Sequence, residues 1–129
     1  MKISARNVFD GKVEAVKTGA LNAEVDVLLP DGTRIVATVT NDSVAELGLA
    51  AGKAVKALVK ASSVLVLTDG EGVRLSARNR LEGTVSAITE GQISTEVAVT
   101  LASGLTVYAT ITRDGAAALG LKKIGRAHV

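Results

Sequence analysis

The tetrapeptide Ser4-Ala5-Arg6-Asn7 returns verbatim as Ser76-Ala77-Arg78-Asn79. In an extended chain, residues i and i+2 share a face, so each copy sets a hydroxyl beside a guanidinium. An O–H donor next to a planar cationic fork suits a tetrahedral oxyanion. Lys60-Ala61-Ser62-Ser63 repeats that logic with an ammonium and a hydroxyl. Thr40 and Ser43 flank the predicted start of a short helix, where unpaired N–H groups and the helix dipole favour negative charge. Few carboxylates adjoin these three segments, and together they read as a pocket for a small dianion. Each also has a plainer reading: Ser4 and Arg6 as solvent-facing strand residues, Thr40 and Ser43 as helix caps, Lys60 as the guard of a strand edge. The verbatim return of the tetrapeptide, while the surrounding sequence has drifted, favours the ligand reading.

Composition narrows the alternatives. The 129 residues include no cysteine and one histidine, and aromatic residues make up 2%. Disulfides and thiolate metal sites are thereby excluded, the single histidine argues against imidazole catalysis, and the repeat marks out no pair of carboxylates for acid–base work. No G-x-x-x-x-G-K phosphate loop occurs. The expectation is a binding protein rather than an enzyme, with no free metal cation and no organic cofactor. Fifteen Lys+Arg against 13 Asp+Glu give a net charge of +2 with the signs interspersed, so neither nucleic acid nor membrane is an expected partner. The absence of a long apolar run and of an apolar leader after Met1 points to the cytoplasm. The 47% of hydrophobic residues are mostly Ala, Val and Leu. Such side chains make a thin core, which predicts burial between subunits.

The elements that must position the donors follow from an internal duplication. At an offset of 72 residues, positions 3–51 and 75–123 agree without a gap at 21 of 49 places, the signature of a tandem repeat. Ala23, Val25, Val27 and Leu29 alternate with Asn22, Glu24, Asp26 and Leu28, as in a half-buried strand. Pro30-Asp31-Gly32 predicts a turn into a strand over Thr33–Thr40, apolar on both faces and so expected to be buried on both. Thr40 or Asn41 caps a short helix through Leu47, with Gly48 as its left-handed stop. Strands over Lys53–Lys60 and Ser63–Leu67 complete the unit. The predicted fold is mainly β: tandem OB-like small β-barrels of five short strands and one short helix per unit. The second barrel is expected to be incomplete. Where Gly52 stands in the first unit the second has Ile124, and Ile124-Gly125-Arg126-Ala127-His128-Val129 matches nothing in the first. That hexapeptide looks like a translated short-read sequencing adapter. The predicted organisation is therefore a first unit over 1–70, a truncated second unit over 71–123, and a non-native tail over 124–129.

Ile3-Ser4-Ala5-Arg6-Asn7, Asn22-Ala23-Glu24-Val25, Val39-Thr40 through Ser43, and Lys60-Ala61-Ser62, in that order, resemble the Mop module of the molbindins, also called TOBE. The chain as a whole resembles a di-Mop molbindin. The resemblance implies an OB-like barrel, a homotrimer, and molybdate or tungstate bound at interfaces between modules for intracellular storage and homeostasis. It also implies a ligand set of Ser4, Arg6, Lys60 and Ser62, with Thr40 and Ser43 given by a neighbouring module. In the second unit Ser76, Arg78 and Thr112 match, Ser43 becomes Gly115, and the lysine segment is missing. A second type of site near the trimer axis maps to Gly19 and Asn22, with Gly91 as the counterpart of Gly19 and Ser94 in place of Asn22. Two other readings remain: an OB-type nucleic-acid module, for which Phe9 and Tyr108 are the only aromatic platforms, and the ligand-sensing TOBE fragment of a molybdate regulator or transporter. For the latter, the first motif begins at residue 3, and no room is expected upstream for a DNA-binding helix pair.

Overall fold

A computed structural model describes residues 3–68 and 74–121, together with the backbone of 126–128. The elements run β1 (Asn7–Thr18), β2 (Asn22–Leu28), β3 (Arg34–Thr40), α1 (Asn41–Leu47) and β4 (Ala54–Val59) in the first repeat. A 3-10 turn, Ala61–Ser63, leads on to β5 (Glu82–Glu90), β6 (Ser94–Thr100), β7 (Thr106–Thr112), α2 (Arg113–Leu119) and β8 (Arg126–His128). Two four-stranded sheets result, ordered β3-β2-β1-β4 and β7-β6-β5-β8, so the fold is mainly β as expected.

The duplication is visible in the details of each sheet. β1 pairs antiparallel with β2 and slips register between Val13 and Ala15; β5 pairs with β6 and slips between Val85 and Ala87. Just before each slip stands a glycine of the repeat, Gly11 or Gly83. A Cβ on Gly83 would lie 2.6 Å from the carbonyl oxygen of Thr100, and one on Gly11 2.8 Å from that of Leu28. The crossing strands approach too closely there for any side chain. The Pro30-Asp31-Gly32 turn forms as predicted: the Asp31 carboxylate accepts from the Thr33 backbone N–H at 2.9 Å and from the Thr33 hydroxyl at 2.7 Å, an Asx-type closure. α1 and α2 are capped by Thr40 and Thr112 and end on left-handed Gly48 and Gly120.

Three expectations change. The strand expected over Ser63–Leu67 does not form: a 3-10 turn ends at Ser63, with the Ser63 N–H reaching the Lys60 carbonyl at 2.9 Å and the Val64 N–H that of Ala61 at 3.2 Å, residues 64–66 are irregular, and Leu67 keeps a single β-bridge. The apolar run that suggested a strand serves as an anchor instead: Ala61 and Val64 are buried, and Val66 packs against the Val85–Val97–Val99 core of the second repeat. β3, expected to be buried on both faces, is not so in this chain: among its residues only Ile35 is fully buried, the rest being half-buried or exposed. The second sheet also has a fourth strand. β8 pairs with β5 through Glu82↔His128, Gly83↔Ala127 and Thr84↔Arg126, taking beside β5 the place that β4 takes beside β1.

The compact bodies do not follow the sequence repeats. Val8–Leu58 forms one, while Met1–Asn7 and Val59–Val129 form the other. The first body is built on Phe9, Val13, Ala23, Val25, Val27, Leu29 and Ile35. In the second, both ends of the first repeat close the sheet of the second repeat.

Candidate functional site

The second body gathers most of the predicted donors. Its entry point is Asn7, which is 1% exposed. The Asn7 Nδ2 donates to the Tyr108 carbonyl at 2.8 Å, and the Tyr108 N–H donates to Asn7 Oδ1 at 2.8 Å. A side-chain amide thus stands in for a peptide group and satisfies both main-chain groups of one β7 residue. This docking sets Arg6 on the face of the second repeat's sheet. The guanidinium lies over the Tyr108 ring, 4.6 Å from its centroid, and its Nη1 is 3.1 Å from Glu96 Oε2. The sequence predicts few carboxylates near this segment, and Glu96 is an exception. Ser4 is exposed two residues before Arg6.

The first repeat's other end reaches the same sheet. The 3-10 turn packs against β7, with Ser62 exposed within it and Lys60 exposed at its N-terminal boundary. Thr112, at the end of β7, accepts from the Gly115 N–H at 2.9 Å. One body therefore holds Ser4, Arg6, Lys60 and Ser62 from the first repeat and Thr112 from the second. Ser76 and Arg78 belong to it too, on an irregular exposed stretch before β5.

Thr40 and Ser43 belong to the Val8–Leu58 body. The Thr40 oxygen accepts from the Ser43 N–H at 3.1 Å, and the Thr40 hydroxyl donates to Ser43 Oγ at 2.9 Å. Thr40 is thus a cap, as its plainer reading held, and Ser43 keeps the proton it can offer. Glycine replaces serine in the second repeat, so the Thr112 hydroxyl proton has no acceptor among the described residues. Gly19 and Asn22 adjoin this helix start: the Gly19 N–H donates to the Asn22 carbonyl at 2.8 Å, and Asn41 Nδ2 donates to the Gly19 carbonyl at 3.0 Å. The equivalent Gly91 N–H reaches the Ser94 carbonyl at 2.8 Å.

Elsewhere the second sheet carries a cavity of about 540 Å³ lined by Glu82, Thr84, Ser86 and Thr100 among others. Its hydroxyls face inward on one another: Thr100 donates to Ser86 at 2.8 Å, and Ser86 donates to the Ala98 carbonyl at 3.2 Å. Thr106, 3.1 Å from Thr100, must then be the donor of that pair, since each hydroxyl has one proton. With those protons committed and a carboxylate in the wall, this cavity does not suit an anion. Among the described residues no group of three His, Cys, Asp or Glu could hold a metal ion. No helix among them is long and apolar enough to cross a membrane.

Sequence reasoning missed Asn7, Glu96 and Tyr108. Two of them carried a signal, because Asn7 and Asn79, and Glu24 and Glu96, are paired identities of the repeat. Tyr108 carried none, since its counterpart is Val36.

The TOBE domain profile matches residues 3–66 and again 75–123. The chain is 44% identical over 121 residues to the molybdenum-pterin-binding protein MopA of Rhodobacter capsulatus, covering 94% of this chain and 46% of that protein. It is 42% identical over 121 residues to the molybdenum transport protein ModE of Herbaspirillum seropedicae, covering 94% of this chain and 45% of that one. The chain thus spans less than half the length of these curated relatives. A crystal structure of the cytoplasmic molybdate-binding protein ModG with molybdate bound superposes with a TM-score of 0.94 at 52% identity, covering 99% of this chain and 91% of that one.

Proposed function

The chain belongs to the TOBE domain family, in tandem, and from that premise we propose that it binds molybdate and tungstate for intracellular storage and homeostasis. The observation that carries this reading is the likeness, over nearly the whole chain, to a protein solved with molybdate bound. The donor set agrees with it. Molybdate is a dianion with four acceptor oxygens, and hydroxyls, backbone N–H groups and one or two cations satisfy it without covalent chemistry. Ser4, Arg6, Lys60 and Ser62 are the proposed core of the site. Thr40 and Ser43 serve from a neighbouring module in the assembly. Ser76, Arg78 and Thr112 are the proposed donors of the equivalent second-repeat site, and Gly19, Asn22 and Gly91 mark the second type.

The proposed assembly is a homotrimer in the cytoplasm, the compartment stated for the solved ModG relative. Leu21, Ile93 and Leu65, 80%, 82% and 82% exposed in the single chain, supply apolar surface for it. The match to ModE supports a second reading, in which these repeats are the ligand-sensing part of a longer regulator. No observation favours nucleic acid, because Phe9 is buried and Tyr108 is covered by Arg6. The reading has no enzymatic step, since the donor set holds no general base.

Sulfate is also a tetrahedral dianion, so charge does not separate the two and cavity size must. Isothermal titration of the full chain is expected to show molybdate and tungstate bound and sulfate far weaker. Arg6→Ala or Lys60→Ala should weaken molybdate binding by about ten-fold or more, the loss of one charge-assisted contact. Equal affinity for all three anions overturns the assignment.

A further inference from the structure

Arg6 makes two contacts that act on its charge in opposite ways. The Tyr108 ring, 4.6 Å below the guanidinium carbon, attracts the cation through its face and uses none of its N–H groups. The Glu96 carboxylate, 3.1 Å from Nη1, takes a donor and offsets the charge. Both come from the second repeat, from β7 and β6, while Arg6 comes from the first. The Asn7 amide, bonded to the main chain of Tyr108 itself, fixes the register in which they meet.

We propose that Tyr108 is a positioning residue that holds Arg6 ready for the oxyanion, and that Glu96 is a built-in competitor that occupies Arg6 until a dianion displaces it or shares it. The inference rests on reading Arg6 as an oxyanion ligand. An aromatic face is the one support that orients a guanidinium while leaving its whole edge free to donate. A carboxylate at the same cation sets a threshold: the arriving ligand must outweigh a negative charge already in place, which a dianion does and a monoanion does not. The ring has no counterpart in the first repeat, where Val36 stands at the equivalent position. The preset arginine is therefore a property of the site built on Arg6.

The test titrates molybdate into the full chain at fixed ionic strength and follows thermal unfolding of each variant. Tyr108→Leu is expected to raise Kd about three-fold, the worth of an exposed cation–π contact, while Tyr108→Phe keeps the ring and the parent affinity. Glu96→Gln is expected to lower Kd about five-fold by removing repulsion between the carboxylate and the bound dianion. A purely structural role would lower the unfolding temperature and leave Kd unmoved, and that result overturns the proposal. So does a Tyr108→Phe variant as weak as Tyr108→Leu, or a Glu96→Gln variant no tighter than the parent. If the parent binds molybdate and Arg6→Ala binds it equally well, the proposal fails while the molybdate reading stands. If the parent does not bind molybdate, both fail.

Discussion

Asn7 and Arg6 are neighbours in one motif with different duties. Asn7 is buried and meets both main-chain groups of Tyr108. Removing it leaves the N–H and C=O of part-buried Tyr108 without these partners, at a cost of up to about 1–3 kcal/mol each. Asn7→Ala is therefore expected to destabilise the protein by about 2–4 kcal/mol in denaturant unfolding. Arg6 is half-exposed, and its ion pair with Glu96 lies at the surface, where such pairs contribute about 0–1 kcal/mol. Arg6→Ala should leave the unfolding midpoint nearly in place while molybdate binding weakens. The sequence displayed this motif through its duplication but not the division of labour within it. Period-two reasoning set Ser4 and Arg6 on one face of a strand, whereas both lie at bends before β1, and it had no means of placing Asn7 against a residue 101 positions away. Glu96 was invisible for the same reason, since its sign matters only once Arg6 is beside it.

The helices are the elements that sequence described best. Thr40 and Gly48 are local signals, and the structure places them as the cap and the left-handed stop the sequence predicts, with Thr112 and Gly120 in the same places in the second repeat. Thr40→Ala or Thr112→Ala should cost about 1 kcal/mol of stability each through the lost cap, read as a lower unfolding midpoint. The segment after β4 was misjudged because Val64, Leu65, Val66 and Leu67 are apolar and β-favouring, and composition does not reveal that such a run packs on another repeat. The sheets also differ in ways that duplication conceals. Where β5, β6 and β7 share the chain of Ser86, Thr100 and Thr106, the equivalent positions of the first repeat hold Glu14, Leu28 and Arg34. There a bidentate ion pair spans the sheet, with Arg34 Nη2 2.8 Å and Nε 3.0 Å from the carboxylate. Hydrogen bonding from Arg34 holds the Glu14 carboxyl below its usual range. A lowered carboxyl pKa favours folding above the unfolded value and loses that effect as pH falls through the folded one. Because the pair is solvent-exposed, Glu14→Gln is expected to leave the acid-unfolding midpoint nearly unchanged.

For the whole molecule, the sequence revealed a duplication, and the structure shows that the duplicated units are not the packed ones. The proposed boundaries at 1–70, 71–123 and 124–129 follow the repeat and the tail, whereas the second body also takes in both ends of the first repeat. The tail tests this directly. β8 lies along β5 where β4 lies along β1, so deleting 124–129 should strip the edge of β5 and lower the unfolding temperature, with more aggregation on heating. Replacing the tail with a copy of the Gly52–Leu67 segment should raise it. Analytical ultracentrifugation of both forms checks the proposed trimer. The placing of the first repeat's ends also has a consequence in time. A ribosome delivers residues 8–58 before the second repeat, so the partners that this body packs on are all made early. Asn7 has to wait: its dock on Tyr108 lies 101 positions downstream, so a residue made before that body finds its place only after the second repeat has been made.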